Sequence, residues 1–95
     1  MSREEKFEAI TKQMLEIYKA KNKDYGSSVT QSYKEFGMTS FLIRLSDKLN
    51  RLKTLNKQEA MVKDEKIEDT LIDLANYAII ALVEKYMEEN YEQRN

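Results

Sequence analysis

The spacing of apolar residues in the first part of the chain predicts a helix. Apolar side chains recur every three or four residues, which places them on one helical face. This series comprises Phe7, Ile10, Met14, Ile17 and Tyr18. Ser2 stands where an N-cap is expected, and Glu4 and Glu5 lie in the first turn, where acidic groups complement the helix dipole. We expect this helix to end near Lys21.

Two further helices are predicted in the middle of the chain. Val29, Tyr33 and Phe36 have the spacing of a short helix that ends at Gly37. A second long helix then follows, with Thr39 or Ser40 as its N-cap. Its expected core face consists of Phe41, Leu42, Leu45, Leu49, Leu52 and Leu55.

The last predicted helix is the most apolar, and it decides the expected architecture. Residues 56–63 are expected to form a connector, and Asp64 to cap a helix that runs to about Glu89. Because its middle is apolar almost all round, this helix must be buried on several sides. The sequence therefore predicts a single all-α domain over residues 1–95, a small bundle of three long helices plus a short one. Homodimerisation or higher homo-oligomerisation is expected to complete the bundle.

A polar stripe interrupts this apolar helix. Asp69, Asp73 and Asn76 stand at positions i, i+4 and i+7 of the segment EDTLIDLANYAIIALVEK, so they share one face. A buried carboxylate costs several kcal/mol, on the order of the penalty for a desolvated ion, unless a cation or a metal meets it. The stripe therefore predicts a partner for the two aspartates.

Composition restricts the chemistry that this partner can bring. The chain has no Cys and no His, which excludes disulfides, thiolate nucleophiles and the commonest ligands of transition metals. Mg²⁺ held by oxygen ligands fits the remaining residue types best. We therefore predict a metal site formed by Asp47, Asp69 and Asp73, which are also the candidate catalytic residues.

Other features restrict the partners and the location of the protein. A net charge of −1 gives no overall positive field for nucleic acid, so direct binding to DNA or RNA is not expected. No apolar run is long enough for a membrane span, and the charged start of the chain does not resemble a signal peptide. We expect a cytoplasmic protein.

Charge is unevenly distributed between the second and third long helices. Between Phe41 and Leu55 the four basic residues stand against one acid, and between Asp64 and Asp73 the acids dominate. Arg44, Lys48 and Arg51 form one flank of the second long helix. One interpretation is that these groups only form ion pairs across the helix interface. The other is a ligand site in which the basic flank binds phosphates and the aspartates hold Mg²⁺.

A second cluster lies in the loop predicted from the segment KNKDYG. Lys21 and Lys23 are candidate phosphate donors, and Tyr25 offers a ring on which a base could stack. The alternative is an ordinary helix-terminating turn with exposed lysines. Tyr33 and Tyr77, by contrast, are expected to be core aromatic residues rather than ligand contacts.

Three strings in this sequence resemble a known family. KDYGSS, FLIRLSDKLNRLKTL and VKDEKIEDTLIDLANYAII look like the nucleotide modification associated domain of many phage and bacterial proteins. The resemblance covers about residues 21–83. That domain is similar in turn to the MazG-like and dimeric dUTPase-like all-α nucleoside triphosphate pyrophosphohydrolases. This resemblance implies an all-α fold, a nucleotide ligand and Mg²⁺-dependent release of pyrophosphate.

The acidic motifs of those hydrolases are incomplete in this chain. Members carry ExxE on one helix and ExxD on the next, and the two motifs together bind Mg²⁺. At the matching positions this chain has Arg44 and Asp47 in RLSD, and Asp73 and Asn76 in DLAN. Arg44 favours contact with phosphate over contact with a metal, so the resemblance supports nucleotide binding more strongly than hydrolysis.

Three hypotheses about function remain open from the sequence. The first is a Mg²⁺-dependent nucleotide pyrophosphohydrolase, with Asn76 or Tyr25 contacting the sugar or the base. The second is a module that binds or sequesters a nucleotide without cleaving it. The third is a structural helical oligomer in which the charged groups pair only with one another.

Overall fold

The computed structural model describes residues 1–25, 28–58 and 60–94, and it describes side chains at residues 1–23, 28–58 and 66–89. Within these ranges the chain is all-α, as predicted, with three long helices and a short one and with no strand. The helices are α1 (Arg3–Tyr25), α2 (Ser28–Phe36), α3 (Thr39–Leu55) and α4 (Ala60–Arg94). None of the described helices carries an apolar stretch long enough to cross a membrane.

The N-terminus of α1 is capped as the sequence predicts. The Glu5 backbone N–H donates to Ser2 Oγ at 3.1 Å, and the Ser2 backbone N–H donates to Glu5 Oε1 at 3.1 Å. This reciprocal pair is a capping box, which satisfies two amides at once. The Ser2 backbone N–H and, to a smaller extent, the Ser2 side chain stabilise the Glu5 carboxylate and hold the pKa of Glu5 below its ordinary value.

Two helices are longer than predicted because nothing in their sequences stops them. α1 continues through Lys21 to Tyr25, since the intervening residues include neither Gly nor Pro. α4 begins at Ala60, so Asp64 is not its N-cap, and the Asp64 side chain lies outside the described residues. α4 also extends past Glu89 to Arg94. The extra length of α1 places Lys21 on a helix rather than in a loop.

Between α2 and α3, the predicted helix end at Gly37 is confirmed, whereas the predicted N-cap of α3 is not. Gly37 has φ 66°, in the left-handed region that glycine occupies most readily. Met38 takes the N-cap position of α3 without a side-chain cap, so the expected capping by Thr39 or Ser40 is wrong. Instead, the Ser40 hydroxyl donates back to the Gly37 carbonyl at 2.9 Å.

The main helix pair is α3 and α4, which run antiparallel and make the most extensive helix–helix contact in the described structure. Phe41 and Leu55 of α3 are buried, and Ala81 of α4 is buried with them. Other members of the expected core face are less covered: Leu45 and Leu52 are half-buried, whereas Leu42 and Leu49 are exposed. Burial of this face is therefore only partly achieved within one chain.

The first helix packs against α4 over part of its length. Met14 is buried, and Ile17 and Tyr18 are half-buried, as their predicted core positions require. Phe7 and Ile10 share that face but are 72% and 48% exposed. The C-terminal half of α1 is therefore the part that is held against the rest of the molecule, and it carries Lys21.

Candidate functional site

Asp73 of α4 joins three helices through its carboxylate. The Lys48 ammonium of α3 donates to Asp73 Oδ2 at 3.1 Å, and the Lys21 ammonium of α1 donates to Asp73 Oδ1 at 3.2 Å. The Asp73 and Lys48 side chains are largely covered, at 27% and 28% exposed, whereas Lys21 is 53% exposed. The partner that the sequence required for Asp73 is thus a pair of lysines from two other helices.

The state of the Asp73 carboxyl follows from this environment. Burial raises the pKa of Asp73, but the hydrogen bonds from Lys48 and Lys21 and their positive charges outweigh burial and leave the pKa below its ordinary value of 3.8. Asp73 is therefore ionised at neutral pH. It balances one of the two positive charges beside it, so the group as a whole remains cationic.

Arg44 adds a third positive charge one turn before Lys48. Its guanidinium carbon Cζ lies 5.5 Å from the centre of the Tyr77 ring, a cation–π contact. Both residues are half-buried, so Tyr77 is a site residue as well as the packing residue that the sequence predicts. The ring supports one face of the guanidinium, which leaves the N–H groups at its edge available to an anion.

A cavity of about 370 Å³ lies beside these groups, between all four helices. Its charged lining residues are Lys21, Arg44, Lys48, Asp73 and Glu84. Its neutral polar and aromatic lining consists of Tyr18, Asn22, Ser28, Thr30, Asn76 and Tyr77. Val29 and Ile80 complete the wall with apolar surface. The volume falls within the range of about 300–1,000 Å³ that is usual for small-molecule sites.

Asn76 lies at the same cavity but already has a backbone partner. Its Nδ2 donates to the Met14 carbonyl of α1 at 3.4 Å. This long hydrogen bond helps to align α1 against α4. No side chain or backbone group in the described part of the chain donates to the Asn76 amide oxygen, so this atom can accept from a ligand in the cavity.

The far end of the cavity is bounded by contacts between α2 and α4. The Thr30 hydroxyl donates to Glu84 Oε1 at 2.7 Å, and the Tyr33 hydroxyl donates to Glu88 Oε2 at 2.5 Å. The hydrogen bond to Glu88, with partial burial and the nearby acidic charges, raises the pKa of Tyr33 to about 12. Acidic and hydroxyl groups therefore occupy the end opposite to the lysines.

Several predicted site residues lie away from the Asp73 cluster. Asp47 and Arg51 are exposed and line a more open neighbouring depression of about 410 Å³, which shares Arg44, Lys48 and Tyr77 with the cavity. Asp69 and Lys23 are exposed, and neither lines the cavity. The Tyr25 side chain lies outside the described residues.

The three aspartates predicted to hold Mg²⁺ do not converge. Within the described part of the chain, no group of three or more acidic side chains is placed to hold a metal ion. Asp73 has an ammonium on each carboxylate oxygen, while Asp47 and Asp69 are exposed. These residues therefore do not fit a magnesium site of three protein carboxylates, and the requirement for Mg²⁺ stays a prediction.

Several cavity residues were not identified as site residues in the sequence. Tyr18 was assigned to the core because its spacing matches the apolar face of α1. Asn22, Thr30 and Glu84 carry no local pattern that distinguishes them from ordinary surface residues. They reach the cavity only because α1 continues past Lys21 and because α2 folds against α4.

One comparison with known proteins bears on this site. The model of a family described as nucleotide modification associated domain 1 matches residues 21–84, about two thirds of the chain. The matched segment begins at Lys21 and ends at Glu84, so it includes the charged residues at both ends of the cavity. No curated protein and no solved structure matches the chain.

Proposed function

The chain belongs to the nucleotide modification associated domain 1 family, and from that premise we propose that the cavity beside Asp73 binds a nucleotide or a nucleotide-derived small molecule. Lys21, Arg44 and Lys48 bind its phosphates in this proposal. We retain the cytoplasmic location predicted from the sequence, where such ligands are abundant. The observation that carries the proposal is the convergence of Lys21 and Lys48, from separate helices, on one carboxylate at a cavity of ligand size.

The phosphate end of the cavity has the charge and the donors that this role needs. Three basic side chains stand against the single carboxylate of Asp73, which leaves a surplus of positive charge. Each lysine ammonium has three donors and uses one on Asp73, so the others remain available to phosphate oxygens. Asp73 holds the two ammonium groups in place before the ligand arrives, which reduces the entropy lost on binding.

The rest of the cavity suits a nucleoside. The Tyr18 and Tyr77 rings and the apolar Val29 and Ile80 side chains offer surface to a base. Asn22 and Asn76 supply hydrogen-bonding atoms for a sugar or a base edge. An elongated ligand with an anionic end and a neutral, partly aromatic end matches this division of the walls.

Pyrophosphohydrolysis is the second candidate function. It rests on the resemblance of the DLAN and RLSD motifs to those of the MazG-like hydrolases, in which Asp73 stands at a position of the acidic motif. We place it second because both carboxylate oxygens of Asp73 are engaged by lysines and Arg44 stands where those hydrolases have an acid. A magnesium ion at Asp73 would lie beside these two ammonium groups, whose positive charges oppose its binding.

A thermal-shift panel tests the proposal. Mono-, di- and triphosphates of the common nucleosides, with cyclic and dinucleotide signals, are added with and without Mg²⁺. A ligand present at about 100 times its Kd stabilises the fold by about 2.7 kcal/mol, which raises the Tm of a small domain by roughly 10 °C or more. The proposal predicts such a shift for at least one nucleotide.

Analysis of the same mixtures for breakdown products separates the candidates. A shift without consumption of the nucleotide supports a binding module. Metal-dependent release of pyrophosphate supports the hydrolase and assigns the cofactor. If no nucleotide shifts the Tm, the proposal fails, and the charged residues are ion pairs of a structural helical protein.

A further inference from the structure

Glu84 lines the cavity at the end opposite to the lysines, and its carboxylate is only partly satisfied. The side chain is half-buried, and its Oε1 accepts a hydrogen bond from the Thr30 hydroxyl at 2.7 Å. A carboxylate has two oxygens with about four lone-pair sites, so one hydroxyl uses a minor part of its capacity. No other group in the described part of the chain donates to Glu84. The remaining lone pairs are therefore available to a ligand in the cavity.

Asp73 and Glu84 mark the two ends of one row of side chains on α4. They are eleven residues apart, which corresponds to about 16 Å along the helix axis and about 20° around it. Tyr77 and Ile80 lie between them on the same row, and both line the cavity. A ligand that lies along this row with its phosphates beside Asp73 therefore points its other end at Glu84.

The order of groups in a nucleotide decides which part of the ligand meets Glu84. The sugar lies between the phosphate and the base, so with the phosphates at Lys48 and Arg44 the sugar follows near Tyr77. The base then lies farther along the row, where Val29 and Ile80 offer it apolar surface. Glu84 lies at the end of this row, so it faces the edge of the base rather than the sugar hydroxyls.

A carboxylate selects among the bases because it accepts hydrogen bonds and donates none. Guanine presents two adjacent donors on one edge, the N1–H and the N2 amino group, and a carboxylate can accept from both at once. Adenine and cytosine present an amino group beside a ring nitrogen that is an acceptor. Uracil presents a single N–H between two carbonyl oxygens. Guanine is therefore the common base whose edge matches Glu84 best.

From these observations we propose that Glu84 reads the base and that the cavity selects guanine nucleotides over adenine nucleotides. This inference rests on the proposed nucleotide-binding function and names the class of nucleotide. Thr30 is a positioning residue, because its hydroxyl orients the Glu84 carboxylate. Part of the selectivity is repulsive: the N1 acceptor of adenine would face the carboxylate, which leaves both acceptors without a donor.

Isothermal titration calorimetry with GTP, ITP and ATP, in the absence of Mg²⁺, tests the proposal on the wild type. The corresponding mono- or diphosphates replace them if these give the larger thermal shift. Hypoxanthine, the base of ITP, differs from guanine only in lacking the N2 amino group. The guanine nucleotide is expected to bind about 10-fold or more tightly than the hypoxanthine nucleotide, the value of one hydrogen bond to a charged group. The adenine nucleotide is expected to bind more weakly still.

Glu84→Gln provides a change of preference that misfolding cannot produce. The side chain keeps its size, but one acceptor oxygen becomes an N–H donor, and the amide then matches the acceptor N1 and the amino group of adenine. We expect the affinity for the guanine nucleotide to fall by about 10-fold or more, while that for the adenine nucleotide is kept or rises. Glu68→Gln is the matched control, because Glu68 is an exposed glutamate of α4 that does not line the cavity. It should keep the wild-type preference.

The outcomes separate this inference from the proposed function. Equal wild-type affinities for guanine and adenine nucleotides overturn the inference and leave nucleotide binding intact. An unchanged preference in Glu84→Gln, or equal losses for both bases, also overturns it, because Glu84 then only anchors α2 through Thr30. If the wild type binds no nucleotide, the proposed function fails and this inference fails with it.

Discussion

Asp73 combines a structural role with an electrostatic one. Its carboxylate connects α1 and α3 to α4 through Lys21 and Lys48, so it aligns three helices at the wall of the cavity. The same contacts fix the two ammonium groups that are proposed to receive phosphate. Because Lys21 is about half-exposed, solvent screening reduces the strength of its pair, and we expect Lys48 to contribute more.

The lowered pKa of Asp73 predicts a stability difference that depends on pH. Because the folded-state pKa lies below the ordinary value of 3.8, the native protein binds fewer protons there than the unfolded chain. The stabilisation is therefore fully present above about pH 5 and is lost as the pH falls through the folded-state pKa. Asp73→Asn is expected to cost about 1 kcal/mol at pH 7.

Urea denaturation of the wild type and of Asp73→Asn between pH 7 and about pH 2.5 measures this effect. The gap between the two free energies of unfolding should stay constant down to about pH 5 and narrow below it. A gap that remains unchanged at the lowest pH would show that Asp73 is not stabilised by its two lysines.

The residues of the site differ in how far the sequence could predict them. The proximity of Arg44, Lys48, Asp73 and Asn76 follows from helical periodicity and from opposite charges on adjacent helices. Lys21 was predicted in a separate loop cluster, and it joins them because α1 continues to Tyr25. Asp69 could not be separated from Asp73 in this way, because one helical turn leaves them on the same predicted stripe. Around the axis of α4, Asp69 lies about 40° away from Asp73. This rotation is enough to leave the Asp69 side chain exposed, whereas Asp73 is half-buried.

Among the elements, α2 depends most on contacts made by polar groups. None of its described residues is buried, and it is held by Thr30 and Tyr33, which donate to glutamates of α4. The Tyr33 ring also packs against Phe41, with 5.7 Å between ring centres. The turn at Gly37 sets the angle at which α2 leaves α3, so it controls how the cavity is closed at this end.

The backbone at Gly37 gives a prediction for this element. No neighbouring atom lies within 4 Å of the position that a Cβ at residue 37 would take, so a side chain there causes no steric clash. Its only cost is the backbone strain of a non-glycine residue at φ 66°. Gly37→Ala is expected to lower the free energy of unfolding by about 1 kcal/mol. Gly37→Asn should cost less, because asparagine tolerates the left-handed region better. Equal stability of the three proteins in urea denaturation would contradict this account of the turn.

The helices themselves were predictable, whereas their boundaries were not. Apolar periodicity predicts all four helices, because each has at least three apolar residues on one face. The sequence predicts an end of α1 that is too early, a start of α4 that is too late and an end of α4 that is too early. The reason is that polar composition alone was taken to indicate a loop. In the absence of Pro and Gly, a polar segment next to a helix continues it. The site depends on this point, since Lys21 and Asn22 lie in the extension.

At the scale of the whole molecule, each of the two central helices has a polar and an apolar side. The polar side forms the cavity with α1 and α2, whereas the apolar side, which includes Leu42, Leu71 and Leu82, remains exposed in the single chain. Since the cavity is formed by the helices of one chain, we expect one ligand per chain.

Isothermal titration calorimetry of Lys48→Ala and Lys53→Ala tests the central claim most directly. Both variants remove one lysine from α3, but Lys48 donates to Asp73 at the cavity, whereas Lys53 is exposed and does not line it. With the nucleotide that gives the largest thermal shift, Lys48→Ala is expected to weaken binding by at least about 10-fold, the value of one hydrogen bond to a charged group. Lys53→Ala should bind like the wild type. Equal affinities for Lys48→Ala and the wild type would show that the nucleotide phosphates do not bind at this cavity.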